Sequence, residues 1–308
     1  MNIEQLNQTF GIAGQLSVIE GKGGFPVIAI DNDHAKAKIS VYAAQVLSFQ
    51  PGGATADLMF VSENAYYQPG KATKGGIPIC WPWFGPDPEG LGRASHGFVR
   101  NRMWTLLSTD TTATGETKVR LGVNADEETQ KIWPHSFELV LEVLVGQTLT
   151  VALITSNTGD SAFSNTQAFH SYFTVGDINQ VKVLGLEETT YLDKVDDGKE
   201  KKQSGAIAFS TETDRIYTDV KPELTIEDSA LNRRIRISTT GSKTAIVWNP
   251  GEEISIKMAD LAAQDYLKFV CVETANAADD VVEVAPNSAY KLQAIYAIES
   301  IAKESTAS

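Results

Sequence analysis

Apolar and polar positions along this chain alternate with a period of two far more often than with 3.6, which predicts strands rather than helices. Residues 38–49 (KISVYAAQVLSF) read as one loosely alternating run and 118–123 (KVRLGV) as another. Residues 137–145 and 149–154 are β-rich runs split by Gly146-Gln147, a hairpin turn signal. Further runs lie at 224–226, 234–237, 245–248, 267–272, 281–284 and 290–298. Turn clusters at 21–24, 52–53, 114–115, 197–198 and 250–251 punctuate them. The charged stretch 193–202 (DKVDDGKEKK) reads as a solvated hairpin tip.

Helical signals are few. Residues 2–10 predict a short helix, and 126–133 (DEETQKIW) another, with acids in its first turn and Pro134 after it. Residues 255–266 are ambiguous and read as a surface excursion. There is no βαβ alternation, so a doubly wound parallel sheet is disfavoured. Many short strands with sparse helices predict an all-β antiparallel sandwich or barrel. With no fixed-period repeat and no low-complexity linker, residues 1–308 are expected to form a single domain.

Composition changes this picture little but closes several doors. Hydrophobic residues make up 42% and charged residues 21%, which excludes a disordered or fibrous chain. The net charge of −13 argues against nucleic-acid binding, since phosphate affinity needs a basic footprint. No apolar run approaches the ~20 residues of a membrane span. The start, MNIEQLNQTFG, has neither a basic nor an apolar leader region. The expectation is a soluble cytoplasmic protein, most simply a monomer. Cys80 and Cys271 stand far apart and read as isolated buried thiols in a reducing compartment.

Candidate chemistry concentrates in residues 71–104, which hold three of the five tryptophans and five basic residues against two acids. This island of formal charge +3 in an acidic chain suits a small anionic ligand. Tryptophan faces suit a sugar ring. A proline-stiffened, well-packed loop with scattered surface charge accounts for the same composition. Of the four histidines, His34 in a polar turn reads as incidental and His135 after Trp-Pro as structural. His96 lies inside the basic island. His170 sits in an aromatic, strand-like stretch (QAFHSYF), where burial either satisfies it or tunes it for acid–base work. Glu273 follows the apolar run LKFVCV and reads as the end of that strand. A carboxylate there is costly unless paired or used. Asp214, beside Arg215, has a plain surface-pair reading. No HExxH, clustered Cys/His, Walker A, GxGxxG or GxSxG pattern occurs, so no metal or redox cofactor is expected.

The run from Lys74 to Gly85 (KGGIPICWPWFG) resembles the RGGIPxxxPxFG signature of the glucose-6-phosphate 1-epimerases, the hexose-6-phosphate mutarotases of the aldose 1-epimerase group. HGFVR at 96–100, TDRIY at 213–217, FHSYF at 169–173 and VETAN at 272–276 also match. The likeness spans about residues 25–298. It implies a large antiparallel β-sandwich of the galactose mutarotase type and interconversion of the α and β anomers of a 6-phosphorylated hexose. It implies His170 and Glu273 as the catalytic pair. Lys74, Ser95, His96, Arg100 and Asp214 would contact the sugar phosphate, with Arg93 or Arg102 as extra phosphate donors. Lys74 stands where arginine is usual, so a point charge replaces a fork. Ser95 stands where glutamine is common. Glu273 would take the proton from O1 and protonated His170 would deliver one to O5. The other readings are a non-catalytic sugar-phosphate binder, a mutarotase for unphosphorylated aldoses, and a polysaccharide-binding module.

Overall fold

The structure, a computed structural model, describes residues 2–301. Strands dominate it, in two eight-stranded antiparallel sheets. One runs, edge to edge, through Lys199–Lys202, Thr190–Asp193, Thr213–Thr218, Thr244–Asn249, Phe269–Asn276, Gln167–Phe169 and Ile79–Cys80, with Tyr172–Thr174 also paired to Phe269–Asn276. The other runs through Val181–Leu184, Glu223–Asp228, Arg233–Thr240, Ala289–Ser300, Leu149–Asn157, Phe137–Val145, Thr117–Asn124 and Thr105–Thr111. A four-stranded sheet from Leu16 to Pro51 and a two-stranded ribbon, Phe163–Asn165 with Val282–Val284, complete the strand set.

The inner faces meet in one core that draws Val270, Val272, Phe169 and Phe173 from the first sheet, Leu141, Leu153, Ile237 and Tyr296 from the second, and Ile28 and Ile39 from the four-stranded sheet. Phe173 and Tyr296 meet edge-on across the gap, ring centres 5.3 Å apart. This is the sandwich that the period-two pattern predicts: strands such as Glu223–Asp228 and Arg233–Thr240 bury alternate side chains, while the central Phe269–Asn276 is buried throughout. The two helices form as read. Ile3–Phe10 is capped by Asn2, and Glu127–Ile132 by Asp126, whose side chain accepts from the amides of Glu128 and Thr129. The 193–202 segment is a hairpin tip. Among the described residues no helix is long and apolar enough to cross a membrane.

Three expectations need correction. Residues 38–49 are not one strand. The chain reverses at Ala43 and Ala44, both at positive φ (65° and 48°), between the strands Ala35–Ser40 and Gln45–Pro51. Alanine gives no turn signal; a buried seat under the 102–104 segment, with the Ala43 amide donating to the Arg102 carbonyl at 2.8 Å, holds the turn. The 146–147 turn is a three-residue loop, since Val145 pairs with Leu149. The strand of Glu273 does not end there. It continues to Asn276, whose amide oxygen accepts from Gln167.

Candidate active site

The site grows from the register of the first sheet. Asp214 lies opposite Trp248, Trp248 opposite Cys271, and Cys271 opposite Tyr172. One step along, Ile246 lies opposite Glu273, and Ala275 opposite Ala168, which pairs with Cys80. Directly opposed residues share a face, so these side chains form one floor while Val270 and Val272 point into the core. Above this floor, between Phe84, Tyr172 and Trp248, opens a cleft of about 230 Å³. Lys74, Phe84, His96, Arg100, His170, Tyr172, Asp214, Trp248 and Glu273 line it.

His170 sits at a break between the strands Gln167–Phe169 and Tyr172–Thr174. Its amide donates to the Pro78 carbonyl at 3.0 Å and the Tyr172 amide to the Gly76 carbonyl at 2.9 Å. The Gly-Gly-Ile-Pro run is therefore the rail against which the histidine segment is laid. Gly76 has φ of 62°, and a Cβ there would strike the Val46 carbonyl, so only glycine fits. Tyr172 stacks on the His170 ring (4.8 Å, 9°) and Trp248 meets it edge-on (5.8 Å, 87°). His170 Nδ1 lies 3.3 Å from Glu273 Oε1. Both side chains are buried, at 11% and 1% exposure. Glu273 Oε2 has no hydrogen-bond partner among the described residues.

The cleft's cations flank the Gly-Gly-Ile-Pro run, Lys74 just before it and Arg100 on the loop after it. Arg100 sits on the turn Val99–Asn101 and donates through Nη2 to the Ser95 carbonyl at 3.0 Å; its buried Nε has no hydrogen-bond partner among the described residues. Lys74 Nζ lies 3.4 Å from Asp260 Oδ2. His96, at φ of 64°, donates its amide to the Gly85 carbonyl at 2.7 Å, and its Nδ1 accepts from the Gly85 amide at 3.2 Å. That reciprocal pair assigns the neutral ring's proton to Nε2. Burial, with Arg100 and Lys74, lowers the His96 imidazole to about 3. Burial first, then His96, Arg100 and Lys74, also holds His170 well below its ordinary value. Burial and Asp214 push Glu273 well above the carboxylate range, against Arg100. Asp214 rises to about 6, mainly by burial.

Of the residues singled out from sequence, His170, Glu273, Lys74, His96, Arg100 and Asp214 converge on this cleft. Ser95 does not line it: it is exposed, and its carbonyl braces Arg100. Arg93 and Arg102 do not line it either. Arg93 is tied to Asp87 (Nε, 2.9 Å) and stacks over Trp83, and Arg102 sits 3.6 Å from Asp126. His34 ties to the Thr114 carbonyl, and His135 packs on Trp133 and Phe163, as expected of bystanders. The lining residues Tyr172, Trp248, Phe84 and Met258 carry no chemical signal in the sequence beyond apolarity. Among the described residues no group of three or more His, Cys, Asp or Glu converges as a metal site would.

The family model described as aldose 1-epimerase matches residues 26–297, nearly the whole chain. The chain belongs to the aldose 1-epimerase family. Within it, one relative from Escherichia coli (strain K12), named provisionally as a glucose-6-phosphate 1-epimerase, is 37% identical over 270 residues, covering 87% of this chain and 89% of its own. A relative from Cenchrus ciliaris with the same provisional name is 36% identical over 249 residues, covering 78% and 74%. A crystal structure from Salmonella typhimurium, titled provisionally as a mutarotase, superposes with a TM-score of 0.88 at 32% identity, over 97% of this chain and 99% of that one. The aldose 1-epimerase assignment agrees with both the sandwich and the antiparallel sheets described above.

Proposed function

We propose that this protein interconverts the α and β anomers of a hexose 6-phosphate, glucose 6-phosphate foremost, by acid–base opening and reclosure of the ring. The observation that carries this reading is the contact of an imidazole with a carboxyl group, 3.3 Å apart on the floor of a cleft that also presents Lys74 and Arg100. The names of the relatives supply the substrate class.

Opening a hemiacetal requires a base at the C1 hydroxyl and an acid at the ring oxygen. The Glu273 carboxylate takes the O1 proton, C1–O5 breaks as C1=O1 forms, and the His170 imidazolium protonates O5. The aldehyde rotates about C1–C2. In closure O5 attacks the other face of C1, its proton returns to His170, and Glu273 returns one to O1. The two side chains thus hold one proton between them at every stage, on His170 before opening and on Glu273 after it. Burial of a net-neutral pair costs far less than burial of either charge alone. The two shifts run in opposite directions, carboxyl up and imidazole down, so burial favours the uncharged form of each. Arg100 and Lys74 help hold the imidazole down, so a phosphate that offsets them favours the imidazolium. His96 offers an Nε2–H to the sugar, and Asp214 accepts from its hydroxyls.

The test is exchange NMR between anomers of glucose 6-phosphate, galactose 6-phosphate and glucose, with and without protein. Accelerated exchange greatest for a 6-phosphate is expected. Ligand binding without acceleration would leave a sugar-phosphate binder, and equal acceleration of glucose would remove the phosphate from the reading.

A further inference from the structure

The segment 251–267 leaves the first sheet between two of its central strands and brings Met258 into the cleft's lining. It is anchored several times without Asp260. Leu261 packs with Phe60, Tyr172 and Phe269. Asp265 Oδ2 accepts from Ser62 Oγ at 2.7 Å and from the Ala262 amide at 3.0 Å, and Asn249 Nδ2 donates to the Tyr266 carbonyl at 2.8 Å. Asp260 takes no part in that anchoring. Its one ion-pair partner among the described residues is Lys74, at 3.4 Å, with both side chains largely withdrawn from water (17% and 23% exposed). A carboxylate therefore stands beside one of the cations that line the cleft.

We propose that Asp260 is the resident counter-ion of the phosphate site, holding Lys74 until an incoming 6-phosphate takes it over. This rests on the reading that Lys74 receives the phosphate. The carboxylate competes with the substrate's anion for one ammonium and repels it, so Asp260 lowers affinity for phosphorylated sugars selectively. The sense of such a brake follows from the reaction. Substrate and product carry the same phosphate, so tighter phosphate binding stabilises ground and transition states alike, lowers KM and leaves the chemical step unaided. Asp260 thereby makes a positioning and specificity-setting residue, acting through Lys74.

The test compares wild type, Asp260→Asn, Asp260→Glu and Lys74→Met in steady-state anomer exchange on glucose 6-phosphate and on glucose, with inorganic phosphate as competitive inhibitor. Asp260→Asn is expected to lower KM for glucose 6-phosphate relative to glucose by about three- to fivefold, the scale of a partly exposed ion pair, and to lower Ki for inorganic phosphate alike. Asp260→Glu should restore both to near the wild-type values. An unchanged or raised KM ratio in Asp260→Asn overturns the inference, as does a Ki that stays put. Lys74→Met separates the two levels: if it raises KM for glucose 6-phosphate relative to glucose while Asp260→Asn has no effect, the counter-ion role alone fails. If Lys74→Met does not discriminate between the sugars, the phosphate role of Lys74 fails, and the inference with it.

Discussion

Replacing Glu273 with glutamine separates chemistry from folding. The amide keeps the carboxylate's shape and loses its power to accept a proton. Loss of a positioned base costs about 10²- to 10⁴-fold in rate, or about 3–5 kcal/mol at ~1.36 kcal/mol per factor of ten. The architecture argues for the upper part of that range. The other carboxyl in the cleft's lining, Asp214, sits on Thr213–Thr218, two strands from Phe269–Asn276 in the sheet. Neighbouring strands lie ~4.8 Å apart, so its backbone is roughly 10 Å from that of Glu273, and the carboxyl in contact with His170 is that of Glu273.

Stability should move the other way. The folded state holds the Glu273 carboxyl above its ordinary range, so from the unfolded value of ~4.3 upward the unfolded chain releases a proton that the folded chain keeps. This group's contribution is therefore most favourable below ~4.3 and declines as pH rises toward the folded value. Glutamine carries no such dependence. The variant should melt above wild type at neutral pH, with the gap closing toward pH ~4. Anomer-exchange NMR at saturating glucose 6-phosphate and circular-dichroism melts across that range read the two effects. Exchange within tenfold of wild type would remove Glu273 as the base, and a lower melting temperature at neutral pH would refute the claim that its burial costs stability.

Arg100→Ala should raise KM for glucose 6-phosphate about ten- to a hundredfold over any change for glucose, the range of a charged hydrogen bond; equal effects on the two sugars would argue against a phosphate role. Asp214, held up at about 6, is protonated below that pH and loses the negative charge that makes it a strong acceptor for a sugar hydroxyl. Exchange on glucose, which carries no phosphate titrating near 6, should accordingly rise through about pH 6, and Asp214→Asn should abolish that inflection in kcat/KM. Gly97→Ala should cost about 2–3 kcal/mol and several degrees of melting temperature, because Gly97 has φ of 74° and an added Cβ would strike the Trp81 carbonyl; an unchanged melt would refute the strain.

Much of the sandwich is legible in sequence because its strands bury alternate residues: Leu149–Asn157 and Ala289–Ser300 carry the pattern openly. Where tertiary contacts rather than local residues make the bend, as at Ala43-Ala44, the pattern runs straight through the turn. Leu16–Glu20, Pro26–Asp31 and Thr105–Thr111 also escape it, the last being largely polar and paired on one side only. At the cleft, residues with rare chemistry stand out. His170 is one of only four histidines, and Glu273 is an acid in an apolar run. Tyr172 and Trp248 look like any core aromatic, since what aims them at His170 is cross-strand pairing and not a local signal. Asp260 is one of 39 acids, and nothing in its neighbours marks it until a distant loop brings Lys74 alongside.

The strand Phe269–Asn276 is committed on both sides, to the core through Val270 and Val272 and to the cleft through Glu273. Any change there is judged twice, once by folding and once by chemistry. Lys74, Arg100 and Asp260 hang instead from loops. A lineage built on this plan is free to exchange one sugar phosphate for another by editing those loops. Glu273, by contrast, is inherited with the strand that carries the core.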